Sequence, residues 1–518
     1  MRTLLCLFLL CSLVLAQDVN SAGQGQSLAD MARKLRKDHT QETRLTPEEE
    51  KKLLGSISEL FTFASEDSGF AKRSVVKSRF VEEKEVETST KERLSKKEYT
   101  QRFARSELTM KKFGLLPRDF SLREFMVKAS GKQVAGYYDD ETKVISLLNW
   151  VPFEKQAPVL AHELTHALQD QNFDLQNWLW EKNRGAQKAK VSANGNDDGM
   201  TARDAVVEGQ AMVVYIDYLL AGVGRNLQNT PGLVYQMEDP AVKASPDTEL
   251  LHDAPMILRE AGTFPYKSGL IFEVELLQAG RKEMAFAGAF ARPPHNTHEV
   301  LQPRAYIERE KLPPLTMPDM QQAVKEKYEV FDTGSIGELD VRAILEQSGN
   351  RKIADSLASN WQGGRYIAFR KLSGAAEPST TADLALFYVS RWKTPESAAH
   401  FAKLYAGALQ GRYVQALAQP APECTGNRCP VFSSFDLTEE GPTHVEQWAD
   451  NTVIVCESFD EDTANQLRSA WLEKSSSTQA DNFNQDELGL RLRQMPGFAA
   501  FQHQIGEEIL RQVVSAVH

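Results

Sequence analysis

Cysteine is scarce in this sequence, with five among 518 residues. Two of them lie in residues 1–16 and none lies in residues 17–423, which leaves Cys424, Cys429 and Cys456. The disulfide framework that holds many small secreted proteins together is therefore excluded. Cys424 and Cys429 enclose the turn-like stretch Thr-Gly-Asn-Arg, so the sequence allows one local disulfide there or, alternatively, three unpaired thiols.

Positive charge is also in short supply, since 60 lysines and arginines face 71 acidic residues and give a formal net charge of −11. An acidic surface repels nucleic acid and anionic membranes, so neither is expected as a partner. The sequence also lacks Gly-x-Ser-x-Gly, a phosphate-binding glycine loop and Cys-x-x-Cys. No motif therefore indicates a serine hydrolase, a P-loop nucleotidase or a thiol oxidoreductase.

The N-terminus has the pattern of a cleavable secretory signal. Arg2 precedes an apolar run from Leu4 to Leu15, and small Ala16 is followed by polar Gln17. The run is too short to span a bilayer comfortably, which disfavours a membrane anchor. We expect residues 1–16 to be removed after Ala16, giving a secreted or periplasmic protein with no stable membrane insertion.

The remaining sequence divides into four parts of α+β character. Residues 17–72 are charged and helix-prone and form either a propeptide or an N-terminal helical segment. Residues 73–315 combine predicted strands, a hairpin and helices, and residues 335–475 read as a separate α+β domain. Apolar residues recur at helical spacing in the tail, residues 476–518, and that pattern usually belongs to a core.

The motif His-Glu-x-x-His is formed by His162, Glu163 and His166 within an apolar stretch. Spacing of four places both imidazoles on one face of a helix, where they can reach one metal ion, and Glu163 leans beside them. Zinc lowers the pKa of a bound water to about 7, and an adjacent carboxylate can accept its remaining proton. Chance occurrence is the alternative, but the uncharged surroundings favour a metal helix. No cysteine is present in residues 17–72 to cap such a metal.

A third protein ligand is expected, and Glu208 is the best candidate. It lies in an apolar stretch from Ala205 to Gly224 that also contains Asp217, and two acids make a membrane span costly. A buried ionised acid needs a partner, which is the metal or, alternatively, Arg203 or the backbone. Gly209 is expected to let the metal-binding helices approach each other closely.

These motifs resemble those of the gluzincin zinc metallopeptidases, and particularly a set of secreted bacterial zincins. The resemblance rests on His162-Glu-Leu-Thr-His-Ala-Leu-Gln-Asp-Gln171 and on Val207-Glu-Gly-Gln-Ala211. It implies a zincin-like catalytic domain over residues 73–315 with a mixed sheet, zinc bound by His162, His166 and Glu208, and Glu163 as the base. Gluzincins often carry an aspartate four residues after the glutamate ligand, where this chain has Met212.

Which acid orients the metal-binding histidines is therefore an open question, and Asp170 and Asp204 are the candidates. For substrate binding, the edge hairpin that contains Gly136 and Tyr137 is expected to pair with a peptide main chain, although it is equally a plain structural hairpin. Tyr266 is the first candidate for the donor that stabilises the reaction's oxyanion. Alternative donors are the histidines at positions 295 and 298.

The sequence thus predicts a zinc metallopeptidase that hydrolyses peptide bonds in proteins or peptides. Two alternatives remain open. One is a zincin-derived binding or scaffolding protein without turnover, against which the intact base Glu163 argues. The other is a zinc hydrolase that acts on a cell-wall amide.

Overall fold

A computed structural model of the protein describes residues 45–82, 85, 88, 97–130, 136–149, 153–180, 197–236, 254–347, 350–374, 377–421, 429–474, 501–502, 505–506 and 509. The predicted signal, residues 1–16, lies outside them. Helices α1 to α16 are Pro47–Ser68, Lys97–Lys112, Leu122–Ser130, Phe153–Phe173, Leu175–Trp180, Asp197–Ala221, Leu233–Gln236, Met256–Glu283, Ala289–Ala291, Thr297–Leu301, Pro303–Glu308, Gln321–Val324, Glu338–Glu346, Arg351–Ala358, Pro395–Arg412 and Glu461–Lys474. Strands β1 to β10 are Lys77–Val81, Tyr137–Asp139, Val144–Leu148, Tyr328–Ser335, Trp361–Lys371, Leu384–Trp392, Ala416–Gln419, Phe432–Thr438, Gly441–Gln447 and Thr452–Glu457. The α+β character expected from the sequence is confirmed.

A three-stranded mixed sheet lies in the first half of the chain. Its strand order is β1-β3-β2, with β1 parallel to β3 and β2 antiparallel to it. Strands β2 and β3 form the predicted hairpin around Asp140 and Thr142, and β2 is one of the two edge strands, with β1 as the other. The residue before β2 is Gly136, and a glycine is needed there because an added Cβ would lie 2.7 Å from the carbonyl oxygen of Ser146.

Helix α1 begins at Pro47, within the stretch that the sequence marks as helix-prone. Thr46 caps the helix and Glu49 completes a reciprocal capping box, so two of the free backbone N–H groups at the start are satisfied. Leu53 and Leu60 bury their side chains in the main core, where α1 packs against α4. Residues 47–68 are therefore an integral part of this core, and whether residues 17–72 are removed after export stays a prediction.

A seven-stranded sheet occupies the second half of the chain, in the order β4-β5-β6-β10-β9-β8-β7 with every neighbouring pair antiparallel. Strand β10 contains a continuous apolar run, residues 453–456, because both faces of the strand are buried. Val453 and Val455 face the main core, which includes helix α15, while Ile454 and Cys456 face a second cluster that includes α16. The interior of a central strand that is covered on both faces is therefore apolar at consecutive positions and does not alternate with polar residues.

The main core extends across the predicted boundary between residues 73–315 and 335–475. It contains Leu160 and Val206 of the first part and Tyr388 and Phe401 of the second, and the chain from Leu45 onward forms one compact unit. The domain boundaries themselves stay predictions.

Two sequence expectations concern cysteine and membranes. Cys429 is disulfide-bonded and Cys456 is a buried free thiol, so the alternative of three unpaired thiols is wrong; Cys424 lies outside the described residues. Within the described part of the chain, no helix combines the length and apolar character needed to cross a membrane.

Candidate metal centre

Helix α4 carries the His-Glu-x-x-His motif, as predicted. It begins at Phe153 and contains Pro158 one turn before the motif. His162 and Glu163 are almost completely buried, and His166 is 9% exposed. The two imidazoles lie one turn apart on the same face, with 3.1 Å between their Nε2 atoms.

Glu208 comes from helix α6, which packs against α4. Its Oε2 atom lies 3.3 Å from Nε2 of His162 and 3.4 Å from Nε2 of His166. Residues 46 positions apart along the chain (208 minus 162) therefore direct three ligand atoms at one point. The structure brings together the three residues that the sequence predicted as metal ligands.

The residues fit a zinc ion by two independent criteria. Ligands held tetrahedrally about 2.0–2.2 Å from zinc lie about 3.3–3.6 Å from one another, and the three measured separations are close to this range. In addition, Oε2 of Glu208 is buried without a hydrogen-bond partner. Buried polar atoms are rarely left in this state, and a cation would satisfy the carboxylate oxygen.

The pKa values of His166 and Glu208 are strongly shifted by their contact with each other. Burial lowers the pKa of His166, but the adjacent Glu208 carboxylate overcomes this effect and raises that pKa to about 9. Burial raises the pKa of Glu208, while His166 and His162 together hold it well below its ordinary value. The carboxylate thus keeps its negative charge beside the two imidazoles, and a cation that binds there takes the place of the proton on Nε2 of His166.

A glutamine orients His166. The Nδ1–H group of His166 donates to Oε1 of Gln169 at 2.9 Å, which leaves the Nε2 lone pair free for a metal. The amide of Gln169 in turn donates to the carbonyl of Val207 at 3.0 Å and to Oε1 of Gln210 at 3.1 Å. Both glutamines are fully buried, so the imidazole is fixed by a neutral network.

The far end of this network is a π-helical turn, Met284–Gly288, that continues α8. The amide of Gln210 donates to the carbonyl oxygens of Ala285 at 2.9 Å and Phe286 at 3.1 Å. Short π-helical turns of this kind often accompany functional sites. Gln169 and Gln210 are not predicted as site residues from the sequence, because an amide carries no motif signal.

Neither acid proposed to orient the histidines has a described hydrogen bond to Nδ1 of His162 or His166. Asp170 accepts from the Tyr138 hydroxyl at 2.7 Å and from Lys143 at 2.6 Å. Asp204 accepts from the Gln502 amide at 3.3 Å. For His166 the reason is geometric, because its Nδ1 atom is already paired with Gln169, less than one helical turn along the same helix.

Glu163 faces the edge hairpin. The backbone N–H of Tyr138 donates to Oε2 of Glu163 at 2.7 Å. Because the Tyr138 hydroxyl and Lys143 both bind Asp170, which lies two helical turns after Glu163, the hairpin is fastened to α4 at three points. Tyr137, one residue earlier, pairs with Ser146 in the sheet.

Tyr266 lies on α8 and is almost completely buried. Its ring is nearly parallel to that of His162, with 6.4 Å between the ring centroids and 20° between their planes. The alternative donors are engaged elsewhere, since His295 pairs with Glu299 and His298 with Glu338. Of the candidate donors, Tyr266 has a described ring contact with a ligand histidine.

Gly209 has a role that differs from the expected one. It permits close contact of α6 with α8 and not with α4, because an added Cβ would lie 2.4 Å from the backbone of Gly269. Gly269 in turn fits against the carbonyl oxygen of Ala205. Arg203, the alternative partner considered for Glu208, donates to the carbonyl of Trp178 at 2.9 Å.

Comparison with known protein families finds a match for one segment of the chain. Residues 326–468 match a family described as a domain of unknown function (DUF8575). This segment contains the seven-stranded sheet and none of the residues of the metal centre. No curated protein and no solved structure matches the chain.

Proposed function

We propose that this protein is a secreted or periplasmic zinc metallopeptidase of the gluzincin type, with a zincin-like catalytic domain. The observation that carries the proposal is the convergence of His162, His166 and Glu208 on one point at separations suited to zinc. Two histidines, one carboxylate and an open fourth position are the protein's usual provision for catalytic zinc. The bacterial, exported origin rests on the resemblance and on the signal pattern.

Glu163 is the proposed general base. Its carboxylate is adjacent to the ligand histidines in sequence and buried with them. Bound zinc would acidify a water molecule, and Glu163 would accept a proton from that water as it attacks a carbonyl carbon, then deliver the proton to the leaving amine. The Tyr138 N–H donates to Oε2 of Glu163 at 2.7 Å and so fixes this carboxylate oxygen.

Strand β2 is the proposed substrate edge. It is one of the two outer strands of its sheet, and it is chosen over β1 because its residue Tyr138 contacts the base. A peptide in extended conformation that adds to this edge would bring its main-chain carbonyl toward the metal. Recognition through the main chain suits a peptidase whose substrates are proteins or peptides. Tyr266 would donate a hydrogen bond to the oxyanion that forms on this carbonyl.

Hydrolysis of an unfolded protein such as casein tests the proposal. We expect activity in the purified chain, loss on removal of metal by a chelator, and recovery on addition of zinc. Glu163→Gln should fold and bind zinc but lose activity by two or more orders of magnitude, because general base catalysis contributes about 10²–10⁴-fold. A zinc-loaded wild type without activity on protein would favour a scaffold or, if it cleaves cell-wall amides, a different hydrolase.

A further inference from the structure

The C-terminal segment, residues 501–509, contacts helix α8 through its described residues 501, 502, 505 and 506. The described apolar side chains of this segment, at positions 501, 505 and 509, are fully or almost fully buried. Gly262 of α8 makes the contact possible, since an added Cβ would lie 2.2 Å from Cδ1 of Ile505 and 3.0 Å from the Phe501 ring. The segment thus belongs to the core around the candidate site.

One turn along α8, the roles of the two partners are reversed. Here the large side chain belongs to α8, as Tyr266, and the glycine belongs to the C-terminal segment, as Gly506. A Cβ at Gly506 would lie 2.5 Å from Cε1 and 2.8 Å from Cζ of Tyr266. The backbone of Gly506 therefore rests directly against the phenol ring, at the carbon that carries the hydroxyl.

The same segment also contacts the helix that carries Glu208. The amide of Gln502 donates to Oδ2 of Asp204 on α6 at 3.3 Å and to the carbonyl of Ala261 on α8 at 3.4 Å. Asp204 is one helical turn before Glu208. Phe501 makes an edge-to-face contact with Phe125 of α3 at 5.0 Å. The segment is therefore anchored to three helices around Tyr266.

We propose that the C-terminal segment is part of the catalytic apparatus, with Gly506 as the positioning residue that holds the Tyr266 ring, and with it the phenol hydroxyl, in place alongside the His162 ring. This inference rests on the proposed function, in which Tyr266 donates to the oxyanion. A donor contributes most when it is fixed where the charge develops, and a shift of about 1 Å lowers the rate of reaction strongly. Because a glycine places backbone against the ring, any side chain would displace it.

Gly506→Ala tests the proposal, with Gly407→Ala as the matched control. Gly407 lies in α15, where an added Cβ has no atom within 4 Å. We expect Gly506→Ala to lower kcat for peptide hydrolysis at least tenfold, with KM and zinc content nearly unchanged, whereas Gly407→Ala retains wild-type values. In a Tyr266→Phe background, Gly506→Ala should change kcat less than twofold, because the hydroxyl is already absent. Equal losses in both backgrounds would overturn the proposal.

A second cycle separates this proposal from the proposed function, because it needs no activity. Gly506→Ala should lower the melting temperature of wild type by several degrees, since overpacking destabilises a core. In a Tyr266→Ala background, where the ring is removed, the added methyl should be tolerated. A loss of melting temperature that is the same in both backgrounds would show that Gly506 does not bear on Tyr266. An inactive, zinc-free wild type would remove the proposed function and, with it, the catalytic role of this contact.

Discussion

His166 donates its Nδ1–H to the side-chain carbonyl of Gln169, 2.9 Å away and less than one helical turn along α4. In many metal sites the corresponding partner of a ligand histidine is a carboxylate, which makes the imidazole more basic. A neutral amide fixes the ring and its tautomer without that added charge. The negative charge of this centre therefore comes chiefly from Glu208 and Glu163.

The first prediction concerns this contact. Gln169→Leu removes the acceptor and also the two bonds that Gln169 donates, so His166 loses its fixed orientation. We expect zinc affinity to fall about 10–100-fold, measured by competition with a chelating indicator. Gln169→Glu keeps the acceptor for His166 but loses the same two donated bonds, so its affinity should lie between those of wild type and Gln169→Leu. Gln322→Ala, at an exposed position, is the control, and equal affinities for Gln169→Leu and this control would refute the role.

The second prediction concerns the fastening of the hairpin. Tyr138→Phe removes the hydroxyl that donates to Asp170 but keeps the backbone N–H that binds Glu163. Hydrogen bonds to a charged group contribute about 1.5–3 kcal/mol, so the edge strand should become less well ordered. We expect a severalfold higher KM for peptides with unchanged zinc content.

Lys143→Ala, which removes the ion pair with Asp170 at the same site, should act in the same direction. Its effect should be smaller, because half of the Lys143 side chain is exposed to solvent. Steady-state kinetics of both variants supply the check. A loss confined to kcat, or a loss of zinc, would contradict the substrate-edge role of the hairpin.

The third prediction tests how α6 is held. Gly209→Ala would place a methyl group 2.4 Å from the backbone of Gly269, so α6 and α8 must separate. Overpacking of this kind costs about 1–3 kcal/mol or more. Because Glu208 adjoins Gly209, zinc affinity should fall along with the free energy of unfolding. Gly222→Ala, at the end of the same helix with open space around it, should leave both unchanged.

The fourth prediction is a pH dependence of stability. Burial, together with the neighbouring Asp67 carboxylate, raises the pKa of Asp217 from 3.8 to about 8. The folded protein then binds a proton that the unfolded chain has lost. The free energy of unfolding should therefore be highest below pH 3.8 for this group and fall as the pH rises toward 8, by at most about 1.4 kcal/mol per pH unit.

Asp217→Asn should flatten this decline, because an amide does not titrate. Denaturant unfolding between pH 5 and 8 supplies the measurement, with the exposed Asp119→Asn as the control. If Asp217→Asn and wild type share the same slope, the protonated carboxyl is absent from the folded state. Asp217 accepts from the Leu227 N–H at 2.6 Å, and an asparagine oxygen can keep that bond.

The sequence predicted those parts of the site that local patterns encode. The spacing of His162 and His166 specifies one face of a helix, and the charge of Glu208 in an apolar stretch marks it as a buried acid. The hairpin around Asp140 has its own turn signal. Each of these inferences needs only a short window of sequence and one rule of geometry.

The parts that were missed depend on contacts between distant segments. Gln169 and Gln210 are ordinary glutamines until α4, α6 and the π-helical turn are packed together. Gly506 acquires its meaning only from Tyr266, 240 residues earlier (506 minus 266). The edge strands β4 and β7, and β8 next to β7, were also not anticipated, because their apolar residues alternate weakly and their neighbours in the sheet, not their own sequence, fix them.

Zinc content of the purified chain tests the central claim most directly. It should be measured for wild type, Glu208→Ala and Glu163→Gln, with casein hydrolysis recorded on the same samples. The account predicts about one zinc ion per chain in wild type, loss of zinc in Glu208→Ala, and retained zinc without activity in Glu163→Gln. A folded wild type that binds no zinc, or a Glu208→Ala variant that binds it as tightly as wild type, would contradict the account.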